Sequence, residues 1–341
     1  MERRDVQLDC YRALSMMYIV CIIHPVLWYR LSVYGFDPTM LFEMPVIFYI
    51  AGASQTYTRR RSMMQTISNR AWRVLIPYYI FIGAMLLLMG VATLLHLTFE
   101  GQRIDISQIG TMGIAKLLLT GGSAQIPYLG YTWFISTYFI IACSLPVQQR
   151  IMQYIPPKYY LLLTFACFAL WKATGINSPE NIVENVLSYN CFYMLGYISY
   201  KKMKTHPVVL ALAAAMCVYL VVSDTALPMG EHKFPSDMIF VIYSLCTLYM
   251  LAFVLNRISI SDNALTRLWN QRGYTIYLYQ SVSHYMVYKV LEQWLSSTCS
   301  SLLLLIVSAV MVFIASTALS FITFPLEKYI INHLQPHHQK I

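Results

Sequence analysis

SLLLLIVSAVMVFIASTALSFITF, residues 301–324, runs for 24 positions without a charge or a proline. At 1.5 Å per residue an α-helix of that length is about 36 Å long, enough to cross a hydrocarbon core about 30 Å thick. Working outward from this stretch, the same reading finds ten such segments, at approximately 10–30, 41–58, 74–97, 129–147, 158–172, 186–200, 208–226, 237–255, 273–292 and 301–324. The expected fold is an all-α polytopic membrane protein of about ten transmembrane helices, one domain over residues 1–341. Composition agrees: 58% of residues are hydrophobic and 11% charged, with a mean hydropathy of +0.54. Soluble domains carry about 25% charged residues. So little charge cannot cover a water-facing surface, which excludes a disordered chain, a secreted disulfide scaffold and a soluble nucleic-acid binder. The net charge of +9 does not restore the last of these, because charge is scarce rather than dense.

The loops orient the spans. With the N-terminus in the cytoplasm, eighteen of the 24 Lys and Arg fall in inner segments, and ten of the fifteen acidic residues fall outside. A bias of that size over short loops follows the positive-inside rule, so both termini are expected in the cytoplasm. The first span is not read as a cleaved signal peptide, because Glu2, Asp5 and Asp9 precede it, His24-Pro25 interrupts it and no small-x-small site follows. The eight cysteines form no CxxC pair, so neither a metal nor a redox motif is present.

Ionisable groups inside spans are costly and mark function by default. His24 lies 12 residues after Arg12, about 18 Å along the helix, which puts it past the middle of the membrane in the outer half. Glu43 opens the second span at the same depth, where a carboxylate can fix an imidazole tautomer and support its protonated form. A His24–Glu43 dyad with His24 as general base is therefore expected; the plainer reading is an interhelical histidine and an interfacial glutamate. On the inner side, Arg59-Arg60-Arg61 reads as topology signal and lipid-headgroup contact. Arg70 and Arg73, spaced i and i+3, share a helix face, and Ser68-Asn69 could cap that helix. Amides at a helix start plus two forked cations suit phosphate. Tyr128, Tyr131 and Trp133 enter the fourth span in Tyr128-Leu129-Gly130-Tyr131-Thr132-Trp133-Phe134, either as an interfacial belt or as a surface for a sugar ring. Gln280 is an uncharged polar group in the ninth span, suited to helix–helix hydrogen bonding.

The order of these pieces resembles the integral-membrane acyltransferase-3 family. Leu8-Asp9-Cys10-Tyr11-Arg12-Ala13 followed by His24 is similar to its opening Asp-x-x-Arg…His. Met44-Pro45-Val46-Ile47-Phe48-Tyr49-Ile50-Ala51-Gly52 is similar to its Met-Pro-Leu-Phe-Phe-Phe-x-Ser-Gly, with Glu43 where its sugar O-acetylase branch often has His. Arg70-x-x-Arg73-x-Leu75-Ile76-Pro77-Tyr78, Tyr131-Thr132-Trp133-Phe134-Ile135, Gly273-Tyr274-Thr275-Ile276-Tyr277-Leu278 and Pro325-Leu326-Glu327-Lys328 resemble later motifs, in order. Three departures stand out. The Arg12-to-His24 spacing is one residue longer than the family's, which rotates His24 by about 100° unless a bulge absorbs it. Gln280 stands where a histidine is usual, and the closing Glu and Pro are permuted, leaving Glu327 without a role.

The resemblance implies ten helices in a bacterial inner membrane and an acyl-CoA-dependent O-acetyltransferase. Acetyl-CoA or another acyl-CoA is the co-substrate, its phosphates held on Arg70, Arg73 and Arg12 from the cytoplasm. The acceptor is an envelope glycan or lipid-linked sugar arriving from outside, near Tyr128, Tyr131, Trp133 and Gln280. His24 takes the hydroxyl proton, and no metal and no nucleic acid are involved; homo-oligomerisation is left open. Two other classes place ionisable groups in spans: a transporter or flippase, which needs no acyl-CoA site, and a glycan polymerase, which wants larger outer loops than the one at about 98–128.

Overall fold

The computed structural model describes residues 5–31, 37–58, 62–99, 102–103, 105–121, 129–202, 206–223, 225, 229–255, 257–258, 260–295 and 300–334. Its helices are α1 (Val6–Trp28), α2 (Glu43–Gln55), α3 (Met63–Leu94), α4 (Gly110–Thr120), α5 (Gly130–Ile151), α6 (Pro157–Ala173), α7 (Ile182–Ser199), α8 (Pro207–Val222), α9 (Met229–Lys233), α10 (Met238–Leu255), α11 (Ala264–Leu295) and α12 (Ser301–Leu334). Each of the ten expected segments is occupied by a helix. Five of them, α1, α3, α5, α10 and α12, are long and apolar enough to cross a membrane. The long α11 is not apolar enough, because it carries Thr275, Gln280, Ser281, Ser283 and His284, all buried in the bundle. The expected outer loop at about 98–128 holds a two-residue antiparallel hairpin, β1 (Thr98–Phe99) with β2 (Gln102–Arg103), and α4.

Local chemistry sets the helix starts. Asp5 caps α1 by accepting from the Leu8 amide, and Pro157 and Pro207 stand in the first turns of α6 and α8, where a missing N–H costs nothing. Ser62 and Gln65 form a reciprocal capping box at the start of α3. That start corrects one expectation. Ser68-Asn69 caps nothing, because α3 begins two turns earlier and carries Arg70 and Arg73 in its interior, so no helix-start amides accompany the two cations.

Two helices carry a wide turn. α1 is π-helical at Ile19–Ile23 and α3 at Ala71–Leu75. Each such turn accommodates an extra residue. The first lies between Arg12 and His24 and is the bulge that absorbs the longer spacing.

Packing centres on α2 and α7, which cross backbone to backbone. A Cβ on Gly52 would sit 1.8 Å from the Tyr193 carbonyl oxygen, and one on Gly196 2.0 Å from that of Tyr49. Without a hydrophobic force between helices in lipid, such small-residue approaches supply the contact area. At one end of the bundle Asp5, Tyr57, Tyr200 and Lys201 meet, and Tyr11 donates to the Leu255 carbonyl. At the other, Tyr18 donates to the Met40 carbonyl and Tyr243 to that of Thr39.

Candidate active site

His24 follows the π-turn directly and is 7% exposed. Its Nδ1 lies 2.6 Å from Gln280 Oε1 on α11. With the amide in that orientation the assigned proton sits on Nδ1, which donates, and Nε2 keeps its lone pair. The ring is stacked on Trp28, one turn onward, with centroids 4.4 Å apart and planes 3° from parallel. Tyr131 and Tyr277 close the box at 5.7 and 6.1 Å. These two are themselves tied: Tyr277 donates to the Tyr131 carbonyl, and Tyr131 donates to that of Leu278. The first turn of α5 is thereby laced to α11 across the imidazole.

A second histidine supports this arrangement. His284, fully buried one turn beyond Gln280, donates from Nε2 to the Val20 carbonyl within the π-turn at 3.0 Å. Its Nδ1 faces the Tyr29 hydroxyl at 2.9 Å, and its ring meets Trp28 edge-on at 4.5 Å. With both nitrogens occupied, His284 is a brace rather than a base. The rule that selects His24 also selects His284, an ionisable residue inside a predicted span that the sequence reading does not single out.

The expected His24–Glu43 dyad is not formed. Glu43 Oε1 accepts from the Lys233 ammonium, Glu43 Oε2 has no partner, and the imidazole is held by Gln280. Depth alone brought the two residues together in the sequence; their azimuths around α1 and α2 give them different neighbours. Lys233 is 3% exposed, and nothing in Gly230-Glu231-His232-Lys233-Phe234-Pro235 marks it as buried.

The three arginines do converge. Arg12, Arg70 and Arg73 line one cavity of about 340 Å³ between α1, α2, α3 and α5, together with Ser54, Gln55 and Asn69. Arg12 donates to Asp9, Ser54 and Asn270 at 3.1, 2.6 and 2.9 Å. Arg70 donates to Gln55 at 2.7 Å and to the Tyr138 hydroxyl at 3.1 Å, lying over that ring. The guanidiniums of Arg12 and Arg70 are thus held by neutral groups and one half-buried carboxylate, Asp9.

Of the remaining expected residues, Tyr131 is buried against His24, and Trp133 packs on Tyr189 and Phe234, each at 5.4 Å. Neither is an outward-facing belt residue. Tyr128 and Arg59-Arg60-Arg61 lie outside the described residues. Glu327 accepts from Thr275 at 3.0 Å, a bond between α12 and α11. Residues 5–324 match a family model described as an acyltransferase domain. No curated protein and no solved structure matches the chain.

Proposed function

We propose, from the premise that this chain belongs to the acyltransferase-3 family of membrane proteins, that it moves an acyl group, acetyl in the simplest case, from cytoplasmic acyl-CoA to a hydroxyl of an envelope glycan or lipid-linked sugar. The observation that carries the reading is the shared cavity of Arg12, Arg70 and Arg73, in which Arg12 stands on the same helix as His24 and about 18 Å along it. Both termini and that cavity face the cytoplasm in this reading, as the loop charges suggest.

The CoA phosphates rest on the arginines, and the thin pantetheine arm reaches the imidazole. The acceptor hydroxyl gives its proton to His24 Nε2 as its oxygen attacks the thioester carbonyl. Collapse of the tetrahedral adduct breaks the C–S bond, and the imidazolium returns the proton to the leaving thiolate. Gln280 keeps the lone pair on the nitrogen that faces the reactants, while Trp28 fixes the ring plane.

Calorimetric titration of the purified protein with CoA tests the donor site. Arg70→Ala is expected to weaken binding about 10–150-fold, since a charge-assisted hydrogen bond contributes about 1.5–3 kcal/mol. Arg70→Lys does not restore it, because a lysine cannot reproduce the fork held by Tyr138 and Gln55. Arg150→Ala, outside the cavity, is the control. A wild-type protein that binds no CoA would favour the transporter reading instead.

A further inference from the structure

At the end of α2 away from the arginine cavity lies an ionic site that the transfer chemistry leaves without work. Glu43 occupies the first turn of α2, where the helix dipole favours a carboxylate. Its side chain is 5% exposed and accepts from Lys233 at the end of α9. Glu43 Oε2 has no partner, and neither does the hydroxyl of Tyr189, which is fully buried. Gln280 Nε2 is a third unpartnered atom, on the residue that holds the imidazole. Buried polar atoms are almost always paired, so an unpaired carboxylate oxygen calls for a partner, water or ligand.

Glu43 also lines the second cavity, a groove of about 730 Å³ between α1, α2 and α10. Its walls are mostly apolar, among them Leu14, Val46, Ile50, Leu248 and Leu251. Along α1 it runs from Gln7 to Tyr18, about 16 Å. Glu43 is thus the carboxylate at one end of a mainly apolar trough whose other end carries Gln7, Tyr11, Tyr200 and Lys201.

We propose that the Glu43–Lys233 pair is the recognition site for the acceptor's hydroxyls, and that the acceptor is a sugar carried on a lipid. This rests on the acyl-transfer reading above. An ionised carboxylate only accepts, so a sugar hydroxyl donates to Oε2; the ammonium has three N–H groups and donates to a neighbouring sugar oxygen with one that Glu43 does not use. The lipid chain lies in the groove, which a water-borne glycan has no reason to enter. The sugar is then presented beside His24 from within the bilayer.

The test measures thiol release from acetyl-CoA by the purified protein, with a panel of dodecyl glycosides and the methyl glycosides of the same sugars. At least one dodecyl glycoside is expected to act as acceptor, with a KM at least 100-fold below that of its methyl counterpart. Glu43→Gln and Lys233→Gln are expected to raise that KM tenfold or more, while the KM for acetyl-CoA moves less than twofold. Breaking a buried pair can unfold the protein, so the uncharged double variant Glu43→Gln/Lys233→Met is included; it is expected to elute and melt as the wild type does and still show the raised acceptor KM. A wild-type KM in the double variant would make the pair structural and overturn the site. Equal KM values for dodecyl and methyl glycosides would overturn the lipid-borne acceptor. Failure of the wild type to bind CoA or release thiol with any acceptor would instead remove the acyl-transfer reading on which the proposal stands.

Discussion

His24 is oriented by uncharged groups alone: an amide at its edge and an indole on its face. In triads that end in a carboxylate, the third member both fixes the tautomer and stabilises the imidazolium. Gln280 supplies the first service and not the second, so in the proposed mechanism an imidazolium would be short-lived and pass its proton promptly to the leaving thiolate. His24→Ala is expected to reduce thiol release by about 10²–10⁴, the usual worth of a positioned general base. CoA affinity should stay within a few-fold of wild type, because the arginine cavity is remote. Parallel turnover and titration measurements check this; turnover loss explained wholly by lost CoA binding would remove His24 from the chemistry. Much at this scale was legible in the sequence, since an ionisable residue within an apolar run is visible without a structure. The partners were not: Glu43 and His24 share a depth, but which faces of two helices meet is decided by the rest of the bundle.

At the scale of elements, the π-turn at Ile19–Ile23 keeps the two halves of α1 in register despite one additional residue. Inserting one alanine between Ile23 and His24 has no such absorber and turns the imidazole about 100° away from Gln280. Thiol release should vanish in that variant while helicity by circular dichroism is retained. Deleting Ile22 lets the turn relax to a regular α-helix with His24 still facing α11, and is expected to keep turnover within about tenfold. Equal losses from insertion and deletion would show that the turn does not govern the aim of His24. The ten segments were readable from apolar length, and the need for a bulge from the spacing of Arg12 and His24. The true start of α3 was not, because Met63–Arg70 is polar enough to pass for a loop until its capping box is seen. The crossing of α2 and α7 makes a separate prediction. Gly52→Ala places a methyl against the Tyr193 backbone, and overpacking of that kind costs about 1–3 kcal/mol or more; a lowered melting temperature in detergent is expected, and an unchanged one would mean that the helices part freely.

For the whole molecule, the carboxylate of Asp5 ties the start of α1 to two other helices. Asp5 accepts from Lys201, Tyr57 and Tyr200 at 2.6, 2.7 and 3.1 Å, joining α1 to the ends of α2 and α7. Burial pushes the Asp5 carboxyl up, but Lys201, Tyr57, the Leu8 amide and Tyr200 together outweigh it and hold it down at about 2. A carboxyl depressed in the folded state stabilises above its unfolded value, near 3.8, and loses that contribution as pH falls through the folded one. The melting temperature should therefore fall between about pH 4 and pH 2 by more in the wild type than in Asp5→Asn, and identical profiles would assign the acid sensitivity elsewhere. This junction was invisible in the sequence, where Asp5 and Lys201 are 196 residues apart and each reads as an ordinary interfacial charge.

The bare crossing at Gly52 has a mechanical meaning. α2 lies against α7 through Tyr49, Gly52 and Ala53, with Gln55 in the arginine cavity one turn beyond that contact and Glu43 at the groove on its other side. Measured from Gly52, Gln55 is about 4.5 Å and Glu43 about 13.5 Å along the helix, a ratio of about three to one. A tilt about Gly52 on filling of the arginine cavity would carry the Glu43 end about three times as far as the Gln55 end, and in the other direction. Paired distance labels at the two ends should report displacements in that ratio on donor binding; equal displacements would mean that the helix slides rather than rocks.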